Sequence, residues 1–247
     1  MYKRLFDDRN ETRREFIATA AAGLAATVAS RPSLASDQND ARGSLAGAIG
    51  LTTGGLNYQR RRGKLTLLGL PRFVRDELGL AIIDLNTHWL EGYEPSYLAQ
   101  VRGTAEEFGC FFTNLKVNHQ FGDLYSRDPH ERQRALAGAR RLIEVAKLLG
   151  TRWIRFTFPG LEVLGTPPNP VAHRDLAGYA EQHGIQLLVE NLGWLTRDAN
   201  SVPRLVASIG RNIAPCPDTG NWADEIRYEG LARTFPTAVT CAATLNC

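Results

Sequence analysis

From residue 45 onward, short apolar runs of strand character alternate with stretches in which apolar residues recur every three or four positions. The runs are LAGAIGL at 45–51, LAIIDLN at 80–86, CFFTNLKVN at 110–118, TRWIRFTF at 151–158, IQLLVEN at 185–191, NIAPCPDTGNW at 212–222 and TAVTCAATLNC at 237–247. Between them the periodicity predicts helices over 65–79, 96–109, 128–149, 171–184, 201–210 and 225–236. The helix over 128–149 has the fullest signature. Asp128 is a natural N-cap, Pro129 suits the first helical position and Glu131 sits at capping-box spacing. Leu136, Ala139, Leu142, Ile143, Ala146 and Leu149 share one face, and Gly150 ends it. Strands and helices alternating at this spacing imply parallel pairing through right-handed crossovers. No glycine-rich phosphate loop follows the first run, and polar residues collect at the C-terminal ends of several runs. Both features favour an α/β TIM-type (β/α) barrel over an open doubly wound sheet. Seven strands are expected where a closed barrel has eight. The reading is therefore an incomplete barrel over residues 45–247, C-terminally truncated near the seventh strand, whose open edges could drive oligomerisation.

In such a barrel the strand tips surround one mouth. The second run brings Asp84 and Asn86, with His88 slightly beyond; the third brings Lys116, Asn118 and His119; the fourth Arg155; the fifth Glu190 and Asn191; the sixth Asp218 and Asn221. A carboxylate closing the buried run LLVE has a use only if the tip opens onto a cleft, a metal or a partner. Glu190 and Asp218, on adjacent tips, form a nucleus for a hard divalent cation such as Mg²⁺ or Mn²⁺. Such a cation polarises a carbonyl. Several of these residues also have simpler roles. Asp84 and Asn86 suit a loop or helix cap, His88 and His119 suit the rim, Lys116 can extend to solvent or meet an anionic or carbonyl group, and Arg155 can pair with a barrel carboxylate.

The motifs IDLNT, TNLKVN, LLVENLGW and PDTGNW, taken in that order, resemble the sugar phosphate isomerase/epimerase superfamily of xylose isomerase-like barrels, over about residues 45 to 240. The resemblance implies metal-assisted proton transfer next to the carbonyl of a small polyol-like substrate. In that superfamily a strand-five Glu and a strand-six Asp bind a divalent metal, a strand-seven His and a strand-eight Glu complete the site, and the two Glu residues exchange protons with the sugar. By position, Glu190 matches the first as ligand and base, and Asp218 the second as ligand. Asp84, Asn86, Lys116, Asn118, Asn191 and Asn221 fall where substrate hydroxyls or the carbonyl would be met. This chain departs from the pattern at Asn221, which stands where the superfamily often has His and cannot shuttle a proton. The seventh run offers no His, Asp, Glu or Lys, and no eighth run follows. The metal site is accordingly expected to be weak and the chain to be inactive, or to bind carbohydrate without turning it over.

Composition adds two points. With 247 residues, 43% of them hydrophobic and 22% charged, the chain can bury one substantial core. Its net charge is +3, and removing residues 1–35 leaves +1, too little for a nucleic-acid-binding face. The same balance, with five scattered histidines, argues against an abasic-site endonuclease of this barrel type. At the N-terminus Arg13 and Arg14 precede a weakly apolar stretch and then Ser33-Leu34-Ala35, a pattern resembling a twin-arginine export signal. Residues 1–35 are thus expected to be removed, 36–44 to be a linker and the mature protein to be periplasmic, with no membrane contact. Cys110, Cys216 and Cys241 lie in or beside apolar runs and are expected to be buried thiols.

Overall fold

The computed structural model describes residues 45, 47–118, 124, 126, 128–157 and 170–243. The proposed signal and linker, residues 1–44, and His119 lie outside the described residues. The chain divides into Met1–Ala48 and a compact unit, Ile49–Cys247.

Six parallel strands form one sheet in sequence order: β1 (Gly50–Thr52), β2 (Ile82–Asn86), β3 (Phe111–Val117), β4 (Trp153–Phe156), β5 (Gln186–Val189) and β6 (Ile213–Pro215). Among the described residues seven helices accompany them: α1 (Asn57–Arg61), α2 (Leu70–Asp76), α3 (Pro95–Glu107), α4 (Pro129–Leu149), α5 (Pro170–Gln182), α6 (Ser201–Ile209) and α7 (Arg227–Thr234). Of the expected seventh strand, the described residues 237–243 run along the end of β6, with a bridge between Asp218 and Ala242: Val239 N donates to Pro215 O at 3.3 Å, Ala242 N to Pro217 O at 2.9 Å and Thr219 N to Ala242 O at 3.0 Å. These residues are exposed or half-buried, so little hydrophobic burial supports the pairing. The first strand is also shorter than its run. It begins at Gly50, where a Cβ would lie 2.5 Å from Ile82 Cγ2, so only glycine lets β1 approach β2.

Period-two alternation sorts the strands into two faces. Ile83 and Leu85 of β2, Leu115 and Val117 of β3, Ile154 and Phe156 of β4, and Leu187 and Val189 of β5 join the helices in the main core. Leu142 and Ile143 of α4, Leu176 of α5 and Leu205 of α6 meet them there. Each such side chain contributes about 1.5–3 kcal/mol by leaving water. The opposite face holds a separate small cluster of Leu188, Ala214 and Cys216 against Trp153, together with the polar residues of the strands.

Helix α4 forms as its sequence dictates. Asp128 caps it by accepting from His130 N at 2.9 Å, and Gly150 ends it with φ 75°. The capping box does not form: Ser126 Oγ donates both to Glu131 Oε2 and accepts from Asp128 N, taking the glutamate's partner role. At the start of β6, Asn212 adopts the left-handed region with φ 44°, and its amide donates to Ala177 O and Ile185 O, tying α5 to the sheet. Among the described residues no helix is long and apolar enough to cross a membrane.

Candidate active site

The parallel register sets the site. Asn86 pairs with Lys116, Lys116 with Arg155, Arg155 with Leu188, and Leu188 with Ala214, so these five residues form one row across the sheet. One row below, Asp84, Asn114, Trp153 and Gln186 correspond in the same way. Two residues beyond Leu188 and Ala214 come Glu190 and Cys216, and two beyond Cys216 comes Asp218. Asn86, Lys116, Glu190, Cys216 and Asp218 lie at or just beyond the C-terminal ends of their strands, where barrels of this class place their chemistry.

A β-bulge brings the lower row together. The register slips between Ile83 and Asp84, leaving Thr113 as an extra residue in β3. Thr113 Oγ1 then donates to Asp84 Oδ1 at 2.6 Å, and Asn114 Nδ2 to Asp84 Oδ2 at 3.4 Å. Sequence reading missed Thr113, because a bulge leaves no mark in alternation.

Asn86 is buried, and its amide oxygen accepts from Thr53 Oγ1 at 2.8 Å, while its backbone N–H donates back to the same hydroxyl. That exchange anchors the 3-10 turn Thr53–Leu56 against β2. His88 is exposed on the rim, its Nε2 2.6 Å from Asn57 Oδ1, and partial burial followed by the charges of Arg60 and Arg61 lowers its pKa. The structure does not bring it to the strand-end cluster.

Glu190 is the centre of that cluster. Asn221 Nδ2 donates to its Oε1 at 3.1 Å, and Arg155 Nε lies 3.0 Å from its Oε2. Both partners of this ion pair are buried, with side chains 5% and 7% exposed. Neither Arg155 Nε nor Glu190 Oε2 has a hydrogen-bond partner, so the pair is close in distance but misaligned. The ends of the guanidinium are satisfied elsewhere: Nη2 donates to Asn118 Oδ1 at 2.6 Å and Nη1 to Thr157 Oγ1 at 2.9 Å. Of the two sequence-level readings of Arg155, pairing with a barrel carboxylate is the one found.

Asn191 corrects the sequence reading. It is fully buried; its Nδ2 donates to Asp218 O at 3.0 Å and its Oδ1 accepts from Asp218 N at 2.7 Å. The side chain sets the height of Asp218 on the next strand end and has no surface left for a ligand. Asp218 itself accepts from Gly220 N through Oδ1 at 2.8 Å. Lys116 is buried in the same row, 5% exposed. Cys216, buried beside β5, has its thiol pushed up to about 12 by burial first and then by the Glu190 charge, with smaller effects of Lys116, Asp84 and Arg155. Cys241, by contrast, is exposed, against the expectation of burial.

A resident Mg²⁺ or Mn²⁺ takes about six oxygen ligands. Among the described residues no group of three or more His, Cys, Asp or Glu could hold an ion, and the guanidinium of Arg155 already stands at Glu190 Oε2. The residues present do not fit a resident divalent cation. The positive charge at Glu190 is supplied by the protein itself.

The sequence matches the family described as xylose isomerase-like TIM barrel over residues 75–237, and the chain belongs to that family. No curated protein matches the sequence. Solved structures with the same fold include D-psicose 3-epimerase in the presence of D-fructose, 17% identical with a TM-score of 0.57, over 70% of this chain and 66% of that one. The D-psicose 3-epimerase of Clostridium cellulolyticum H10 with D-tagatose has a TM-score of 0.60 at 17% identity, over 70% of this chain and 67% of that one. The 3-keto-D-glucoside 4-epimerase of E. coli has a TM-score of 0.54 at 15% identity, over 73% and 74%. The chain thus spans about two thirds to three quarters of the length of these structures.

Proposed function

We propose that the mouth binds a small polyol-like carbonyl compound and that Glu190 moves a proton on the carbon next to the carbonyl, as in a sugar isomerase or epimerase. The observation that carries this is Glu190 Oε2, a buried acceptor that receives no hydrogen bond while its other oxygen is fixed by Asn221. A carboxylate so held is oriented for one proton. Transfer of that proton from carbon to Oε2 leaves an enediolate, and its return from Oε2 to the neighbouring carbon on the same face, with a proton moved between the two oxygens, gives the isomer; epimerisation needs a second proton donor on the opposite face. Lys116 and Asn221 border the same space and supply donors to oxygen. The epimerases with this fold, and the ketoses named with two of them, support the substrate class. The experiment is incubation of ketoses with the protein in D₂O, followed by mass spectrometry. Deuterium at the exchangeable carbon, lost in Glu190→Gln, is the expected result.

The Arg155–Glu190 contact favours a second reading, a barrel that holds a carbohydrate without turnover, because a carboxylate engaged from both sides is a poor proton carrier. Calorimetric binding with no deuterium uptake would select it. We further propose, from Arg13, Arg14 and the apolar stretch after them, export to the periplasm by the twin-arginine route.

A further inference from the structure

We infer that proton transfer at this mouth runs without a resident metal ion, and that the Nε–H of Arg155 holds the carbonyl oxygen of the ligand as that oxygen becomes negative. The inference rests on Glu190 being the base, as proposed above. Two features of the site carry it. The guanidinium is fixed at its outer nitrogens, where Nη1 donates to Thr157 Oγ1 at 2.9 Å and Nη2 to Asn118 Oδ1 at 2.6 Å. Its Nε and Glu190 Oε2 lie 3.0 Å apart, yet neither has a hydrogen-bond partner. A pair kept only for stability would align that donor with that acceptor, because each buried group left unmatched carries its own desolvation cost. Here a donor and an acceptor stand side by side unused.

Enolisation calls for such a couple, an acceptor for the proton on carbon and a donor for the oxygen two bonds away. In an α-hydroxy ketone that oxygen and that carbon are about 2.4 Å apart, from ordinary C=O and C–C lengths. One ligand therefore spans the 3.0 Å between Nε and Oε2. The C–H bond breaks and its proton goes to Oε2; its electron pair forms the C=C bond, and the carbonyl pair moves to oxygen, which accepts from Nε–H. Charge stays balanced throughout, since the guanidinium faces a carboxylate before the step and an enediolate after it, when Glu190 is neutral. With both side chains buried, water screens this contact little. A divalent ion would polarise the same oxygen. Its place beside Oε2 is held by Arg155, and among the described residues no group of three His, Cys, Asp or Glu could bind it.

The test is deuterium uptake from D₂O into D-fructose and D-tagatose by the full chain, measured by mass spectrometry as purified, after dialysis against EDTA, and with Mn²⁺ added back. The rate should be the same in all three conditions. Arg155→Lys keeps a cation and removes the Nε–H. It should lower kcat by about 10²–10³-fold, the cost of losing one donor to a developing oxyanion, with KM changed far less. Its urea midpoint checks folding, and the metal arm needs no variant, so it decides even where Arg155→Lys does not fold. Uptake that EDTA abolishes and Mn²⁺ restores would overturn the inference and leave Glu190 as the base. A folded Arg155→Lys with the parent's kcat would do the same. Absence of uptake in every condition would remove both the inference and the reading on which it rests.

Discussion

The guanidinium of Arg155 and the carboxylate of Glu190 touch inside the sheet without sharing a hydrogen bond. Charges sealed from water in this way stabilise poorly together and are severely destabilising when separated. Arg155→Met should cost about 3–5 kcal/mol in urea unfolding, because it leaves Glu190 buried and uncompensated. The double change Arg155→Met with Glu190→Gln should recover most of that loss. Additive losses in the double-mutant cycle would show that the two residues act separately.

The same contact sets metal affinity. A Mn²⁺ ion at Glu190 and Asp218 must displace Arg155, so calorimetry should find a Kd no tighter than about 10⁻⁴ M, abolished in Glu190→Ala. Arg155→Met should tighten it. Strong Mn²⁺ binding by the parent chain would contradict the conclusion that these residues do not fit a resident cation.

His173, buried in α5, has its pKa lowered to about 4 by desolvation. The unfolded chain then binds a proton that the folded chain refuses between about pH 6.5 and 4. Stability from this group is present above the unfolded value and is lost as pH falls through that window, by roughly 2 kcal/mol from pH 7 to pH 5. Urea midpoints measured across the range should fall accordingly, and His173→Leu should flatten the slope.

Gly230 lies under the ring of Trp222, where a Cβ would approach Cδ2 and Cε2 to 2.6 Å. Trp222 follows Asn221, the residue that fixes Glu190. Gly230→Ala should destabilise the chain by about 1–3 kcal/mol through overpacking. If the ring is pushed outward, it should also weaken ligand binding at the mouth, measurable by calorimetry.

For export, changing Arg13 and Arg14 together to Lys should retain the protein in the cytoplasm, since the signal depends on the guanidinium pair. Cell fractionation reads this directly. Unchanged periplasmic delivery would remove the twin-arginine assignment.

The strand ends were legible because burial on the helix side forces apolar alternation and leaves the charged residues only the mouth. Asp128 and Gly150 were legible for local reasons, a cap and a left-handed turn. What lay hidden depends on partners distant in sequence. Alternation could not show the Thr113 bulge, and nothing near Asn86 announced Thr53, 33 residues earlier. Asn191 looked like a binding residue because its exposure could not be known. The run from 237 had the composition of a strand, yet its described residues pair with the end of β6 only through Val239 and Ala242, because pairing needs a buried face as well as an apolar sequence.

The row Asn86–Lys116–Arg155–Leu188–Ala214 changes character midway, from amide, ammonium and guanidinium on β2 to β4 to hydrocarbon on β5 and β6. A molecule lying across it meets different chemistry at each end, and exchanging those ends costs it its polar contacts. Handedness follows from this, since a chiral ligand with its ends fixed presents only one of its two sides to Glu190. For the proposed function, strand order and register are thus the source of stereochemical preference.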